Sequence, residues 1–298
     1  MTAWKPSAQA GSDSRTFSRS IPPDLVGSSI IPPVAPVLTV DPGRRQAFAD
    51  DGYVLLRRVV DASVVARVRD EATVLAIRRH FEPVPRRSRV DPVDSPVQAR
   101  NLWQYADGLR TLTCSRRLAE TAGLLLETSA VQLYSDVVTV GEPRATEAPW
   151  HFDGAYLPLD AAGVVVAWIP LQASGPESRG LRLRPGTHRF DGNGSLRPER
   201  PESLRRFRRA LKHAGFAIVC PDAQPGDVVF YSGLTSHAVA PNFTSRVQTA
   251  LWITYVRADA PMIRPRNDCQ NCERELYLNS LTVGRPLHTP LHPLLWRQ

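Results

Sequence analysis

The sequence predicts a mainly β domain, a jelly-roll or barrel of short strands carrying a helical buttress. Two observations carry this. From residue 41 to about 128 apolar residues recur at helical spacing, and from Val131 onward they fall into short β-branched or aromatic runs bounded by Gly, Pro, Asn or Asp. Helices followed by seven or eight short strands suit a sheet structure supported from one side. At 298 residues and 42% hydrophobic, the chain can bury one large core as a single domain.

Residues 1–40 carry prolines and serines with few periodic apolar positions, and read as a disordered arm. Asp41-Pro42 is a helix cap followed by proline at the first helical position, and Gly52 is a stop. Tyr53–Val59 reads as a strand. Asp61 caps a longer helix with Val64, Val65, Val68, Ala72, Leu75 and Ile77 as its apolar stripe. Residues 82–100, rich in proline and arginine, read as a surface loop, and Ser115 opens a further helix through Leu118, Ala122, Leu125 and Leu126. The expected strands are Val131–Val140, Gly163–Gln172, Leu181–Arg184, Phe216–Cys220, Asp227–Tyr231, His237–Val239 and Val247–Val256, with one arginine-rich helix over 201–214. The division is therefore a helical part over 41–128, a β core over 129–257 and a proline-rich tail over 258–298.

Composition narrows the function classes. No run approaches the 18 apolar residues of a membrane span, no signal peptide opens the chain, and four cysteines are too few for a disulfide scaffold, so a cytoplasmic protein is expected. The net charge of +8 is almost wholly arginine, Lys5 and Lys212 being the lysines. The arginines are spread along the chain without interleaved aromatics, which favours a solvated surface over a nucleic-acid face.

Two constellations carry chemistry. In Trp150-His151-Phe152-Asp153, an extended backbone puts His151 and Asp153 on one face and Phe152 on the other. An imidazole and a carboxylate so placed supply two ligands of a 2-His-1-carboxylate iron site, although H-x-D alone equally describes a histidine at a strand end. His237 follows 84 residues after Asp153, on a strand of the same β region, and completes the set. Pro241-Asn242-Phe243-Thr244-Ser245 has turn chemistry and returns the chain at Arg246, which is thereby expected near His237 with a guanidinium suited to a carboxylate.

From about residue 46 to 257 the chain resembles the phytanoyl-CoA dioxygenase family. The resemblance rests on Asp51-Gly52-Tyr53-Val54, Asn101-Leu102-Trp103, Trp150 to Asp153, Ala167-Trp168-Ile169-Pro170-Leu171, Leu183 to His188, Gly226-Asp227 and His237 through Arg246, in that order. It implies a double-stranded β-helix, Fe(II), 2-oxoglutarate and O2, with His151, Asp153 and His237 as ligands and Arg246 as the clamp on the co-substrate's distal carboxylate. It also implies Trp168 and Gln132 at the co-substrate and a structural role for His188. Tyr156 and Trp103 are the candidates for substrate contact, together with residues 82–108 and 141–149. Iron halogenases of related fold have Ala or Gly where this chain has Asp153, so hydroxylation, desaturation or ring closure is expected. Val140-Gly141-Glu142-Pro143 departs from the family's usual lysine-bearing segment, as do Gly154 and Tyr156-Leu157-Pro158, which turns the expectation from acyl-CoA towards a small molecule of antibiotic-type biosynthesis.

Other readings stand beside this one. An acyl-CoA or lipid hydroxylase would share the site, a non-catalytic β-helix binding protein would not bind iron, and a nucleic-acid demethylase would bind DNA with steep salt dependence. Cys269-x2-Cys272 followed after fifteen residues by His288-x3-His292 fits a zinc-finger spacing, but Pro286, Pro290 and Pro293 forbid the helix such a finger needs.

Overall fold

The computed structural model describes residues 40–80 and 97–298. The expected arm, save for Val40, and the stretch 81–96 lie outside the described residues. Helix α1 (Pro42–Asp51) begins where expected: Asp41 accepts from the Arg44 backbone N–H at 2.8 Å, and Gly52 ends the helix in the left-handed conformation. Helix α2 (Ala62–His80) buries Val64, Val65, Val68, Ala72 and Ala76, whereas Ile77 is exposed. Helices α3 (Asp107–Thr113) and α4 (Arg116–Leu125) follow, the latter capped by Ser115.

Seven antiparallel strands form the major sheet, in the order β1 (Tyr53–Leu56), β6 (Val228–Ser232), β4 (Val164–Pro170), β8 (Gln248–Arg257), β3 (Ala130–Gly141) and β2 (Val97–Arg100), with β9 (Leu294–Arg297) also on β3. Strands β5 (Leu181–Leu183) and β7 (His237–Val239) make the minor sheet, widened by bridges from His151 to His237 and from Leu183 to Val219. Alternation along β8 sorts its side chains between two cores. Leu251, Ile253 and Tyr255 face the helices, and Trp252 faces the minor sheet. In the core between the sheets, Val164, Val166 and Trp168 of β4 meet Leu181 and Leu183 of β5. The architecture is the expected double-stranded β-helix with a helical buttress.

Four expectations change. Strand β1 stops at Leu56, since Arg58 is left-handed (φ 53°) and its N–H is taken by Asp227. The strand expected over 216–220 contracts to the bridge at Val219. The loop expected through 100 closes with β2, which pairs with β3. The tail holds helix α6 (Asp268–Tyr277), capped by Asn267, and strand β9. Helix α5 (Pro201–His213) stands where expected.

A bulge in β3 between Leu133 and Ser135 turns Asp136 towards the helices, where it is fully buried. Its Oδ2 accepts from the Trp103 backbone N–H at 3.0 Å and from Thr113 Oγ1 at 3.4 Å, while Oδ1 has no partner. Burial raises this carboxyl to about 7 against the pull of those donors. A raised carboxyl binds more protons folded than unfolded, so its contribution to stability is full at low pH and is lost as pH rises from 3.8 to about 7. Asp136→Asn is therefore expected to gain stability relative to the parent between pH 5 and pH 8, by at most about 3 kcal/mol, the part of the shift between pH 5 and about 7 at ~1.36 kcal/mol per pH unit. Denaturant midpoints at the two pH values measure it, and an identical difference at both would refute it.

Candidate metal centre

The segment entering the centre is extended through Phe152 (φ −134°, ψ 145°) and turns into a short 3-10 turn at Asp153–Ala155. His151 and Asp153 consequently share one face, and Phe152 packs in a separate cluster with Phe207 of α5. His151 and His237 are cross-strand partners, each backbone N–H donating to the other's carbonyl at 3.0 and 2.8 Å. Their rings lie 4.4 Å apart. Asp153 Oδ1 is 4.0 Å from His151 Nε2 and 3.8 Å from His237 Nε2. One ligand atom from each of the three lies within 4.8 Å of the others, and among the described residues this is the one such cluster of three or more metal-binding side chains.

Hydrogen bonding fixes how these groups present themselves. Nδ1 of His151 lies 2.8 Å from the Pro149 carbonyl, and Nδ1 of His237 lies 3.0 Å from that of Thr235. A carbonyl only accepts, so each Nδ1 carries the proton and each Nε2 offers a lone pair to the centre. Burial drives the His237 imidazole down to about 4, with Asp153 opposing and His151 adding to the effect, so this ring is neutral at neutral pH. The Tyr231 hydroxyl donates to Asp153 Oδ2 at 2.9 Å and leaves Oδ1 for the cluster. The His151 and Asp153 side chains are 24% and 26% exposed while His237 is 2% exposed, so the centre is approached from the first two.

The other expected residues divide. Trp168 is fully buried between the sheets, 6.2 Å from Trp252, and its Nε1–H has no protein acceptor. Tyr156 stands edge-on to His151 at 5.5 Å, and burial raises its hydroxyl pKa well above the usual value. Gln132 is committed elsewhere: its Nε2 donates to the Leu287 carbonyl at 2.9 Å, at the far end of the ladder from Gln248. Trp103 belongs to the helix-side core, across the major sheet from the histidines, which corrects the expectation of substrate contact. Arg246 is exposed in the bend before β8, and among the described residues its guanidinium has no hydrogen bond or ion pair. Gly154 is explained by packing, since a Cβ there would fall 2.2 Å from that of Ala161. His188 bonds the Ala49 carbonyl at the end of α1, a structural role. Cys269 and Cys272 lie on α6, and His292 bonds Thr289 beside Tyr134, so the zinc spacing does not assemble.

Several contributors carried no motif. Strand alternation puts Tyr231 and Trp252 (6.0 Å from His237) on the face towards the minor sheet, but does not place them beside a histidine. Apart from these, Arg179 is buried and carried no sequence signal. The dispersed arginines also gather more than expected. Arg182, Arg184, Arg208, Arg209 and Lys212, with Glu147, line a cleft of about 320 Å³ beside Trp150, on which Arg184 stacks at 4.7 Å.

Two neutral imidazoles and one carboxylate, with half of the coordination sphere left to other ligands, are the donor set of non-haem Fe(II). The partnerless Trp168 Nε1–H nearby fits an oxygen-rich co-substrate. The family model for phytanoyl-CoA dioxygenase (PhyH) matches residues 48–250. Methylphosphonate hydroxylase of Gimesia maris is 24% identical over 181 residues, 59% of this chain and 62% of that protein, so the chain spans less than two thirds of this relative. Among solved structures, the non-heme alpha ketoglutarate dependent carbocyclase SnoK from nogalamycin biosynthesis has a TM-score of 0.71 at 22% identity, covering 86% of this chain and 96% of SnoK. The epimerase SnoN in complex with Fe3+, alpha ketoglutarate and nogalamycin RO gives 0.66 at 23%, covering 86% and 100%. EctD from S. alaskensis with bound Fe gives 0.60 at 20%, covering 76% and 80%. At these identities the structural likeness speaks for the fold.

Proposed function

The chain belongs to the phytanoyl-CoA dioxygenase family, and from that premise we propose that it hydroxylates a small molecule of antibiotic-type specialised metabolism. The reaction class is that of the family, an oxygenase dependent on Fe(II) and 2-oxoglutarate. The observation that carries the proposal is the convergence of His151 Nε2, Asp153 Oδ1 and His237 Nε2, with both Nδ1 atoms tied back to carbonyls. Asp153 supports hydroxylation over halogenation, since it fills a ligand position that halogenation needs vacant.

Bound iron, with 2-oxoglutarate and O2, supplies the oxidation of an unactivated C–H bond that no side chain can perform. The rest is the work of the chain. His151, Asp153 and His237 hold the metal, and Tyr231 fixes which Asp153 oxygen faces it. Two neutral imidazoles and one carboxylate leave a dication with one net positive charge, which attracts an anionic co-substrate. Leu181, Leu183 and Val166 wall the interior against water. The edge-on contact of Tyr156 with His151 supports a role for it in meeting substrate.

Among the similar proteins one is named a hydroxylase, whereas the two from nogalamycin biosynthesis are named a carbocyclase and an epimerase, so these names support the metabolic setting and only the first supports the reaction. The test is an anaerobically loaded Fe(II) enzyme supplied with 2-oxoglutarate, 18O2 and a panel of candidate metabolites. Substrate-stimulated succinate and one 18O atom in the product are expected. Product without 18O would mean ring closure or desaturation, and no succinate with any compound would overturn the proposal.

A further inference from the structure

Arg179 combines a strained backbone with a buried charge. It lies just before β5 with φ at +61°, a left-handed backbone that a residue with a Cβ rarely adopts. It is only 6% exposed. Its side-chain hydrogen bonds both leave Nη1, to the Thr146 carbonyl at 2.7 Å and the Ala240 carbonyl at 3.2 Å. Among the described residues no carboxylate pairs with it, and Nε and Nη2 have no partner. Burial alone pulls the guanidinium down to about 10, which still leaves it charged at neutral pH. A buried cation without a counter-charge is costly, and backbone strain of this kind concentrates at functional sites.

Its position supplies the reason. The side chain crosses from the minor sheet to the major one and lies on Gly141, where a Cβ would come within 2.6 Å of Nε. Gly141 pairs with Gln248, on the β8 face that carries Trp252 towards the histidines. Ala240, whose carbonyl anchors the guanidinium, is three residues along the strand from His237, on the order of 10 Å at ~3.3 Å per residue. A five-carbon diacid chelated at the metal through one end carries its far carboxylate roughly 8 Å away, by ordinary bond lengths. The span and the charge both match.

We propose that Arg179, rather than Arg246, grips the distal carboxylate of 2-oxoglutarate, supplying from the segment before β5 the cation that the start of β8 lacks. This rests on the reading of the centre as a 2-oxoglutarate site. Gly141 makes room for the side chain, and the bound dianion is the missing counter-charge. The left-handed backbone is what aims the guanidinium inwards.

The test is calorimetric titration of Fe(II)-loaded protein without oxygen, using 2-oxoglutarate and 2-oxopentanoate, the same chain without the second carboxylate. Arg179→Gly suits the left-handed backbone and removes the unpaired cation, so it is expected to fold with a thermal midpoint close to that of the parent. It should weaken 2-oxoglutarate by about 30-fold or more, as loss of one partner of a buried charge pair does, and leave 2-oxopentanoate within about 3-fold. Arg246→Gln should change neither. Arg179→Lys keeps the charge and should recover part of the loss, and it carries the comparison if the glycine variant does not fold. Equal losses for both acids, or a loss in Arg246→Gln with none at Arg179, would overturn the assignment alone. Failure of the parent to bind 2-oxoglutarate would overturn the reading of the centre as well.

Discussion

Asp153→Asn is expected to strip iron from the protein and abolish turnover while leaving the fold in place. The substitution keeps the shape of the side chain and a carbonyl oxygen for Tyr231, whose hydroxyl now donates to Asp153 Oδ2. What it removes is the negative charge beside His151 and His237. A structural zinc ion held by four protein ligands is bound by ~10–16 kcal/mol, so each such ligand is worth about 3–4 kcal/mol, two to three decades in affinity, and Asp153 is expected to be worth as much here. Fe(II) sits low in the affinity order of divalent ions, so a loss of this size takes it below micromolar occupancy. Iron content after gel filtration, with the thermal midpoint alongside, measures both halves. Retained stoichiometric iron in the Asn variant would exclude the three-residue centre, and a collapsed midpoint would show Asp153 to be structural.

This centre was legible because its logic is local. Alternation placed His151 and Asp153 together, and a turn-bounded strand start marked His237 as the third member. The expectation for Arg246 carried the same logic further. A hairpin return brings a backbone back, but Arg246 falls in the bend before β8 pairing begins at Gln248, so its side chain stays in solvent. The role proposed for Arg179 was illegible because it depends on what the residue lacks. Neither its left-handed backbone nor the missing carboxylate nor the space over Gly141 leaves a trace in sequence. Tyr231 and Trp252 lay in strands correctly located, yet which inward position abuts a histidine depends on register between strands far apart in the chain. Among the helices, caps at Asp41 and Ser115 were readable because capping is settled within four residues.

The tail was misread for the opposite reason, and Trp296 measures the consequence. Four residues between prolines and the chain end look like no strand, because a strand's pairing partner is invisible from its own sequence. Here β9 takes the free edge of β3 at Ala130–Gln132 and lays Trp296, 7% exposed, across α4. Gly123 is the counterpart: a Cβ there would sit 2.5 Å from the indole, so helix and ring have been fitted without a spare methyl. Trp296→Ala should therefore cost ~3–5 kcal/mol, a fall of roughly 10 °C in thermal midpoint for a domain this size. Trp296→Phe fills part of the space and should cost less than half of that. Because the ring packs in the helix-side core and the ligands stand beyond the major sheet, the alanine variant held well below its midpoint should still bind Fe(II). A midpoint change under about 2 °C would mean that β9 is a detachable end; loss of iron from still-folded protein would mean that the tail braces the centre itself.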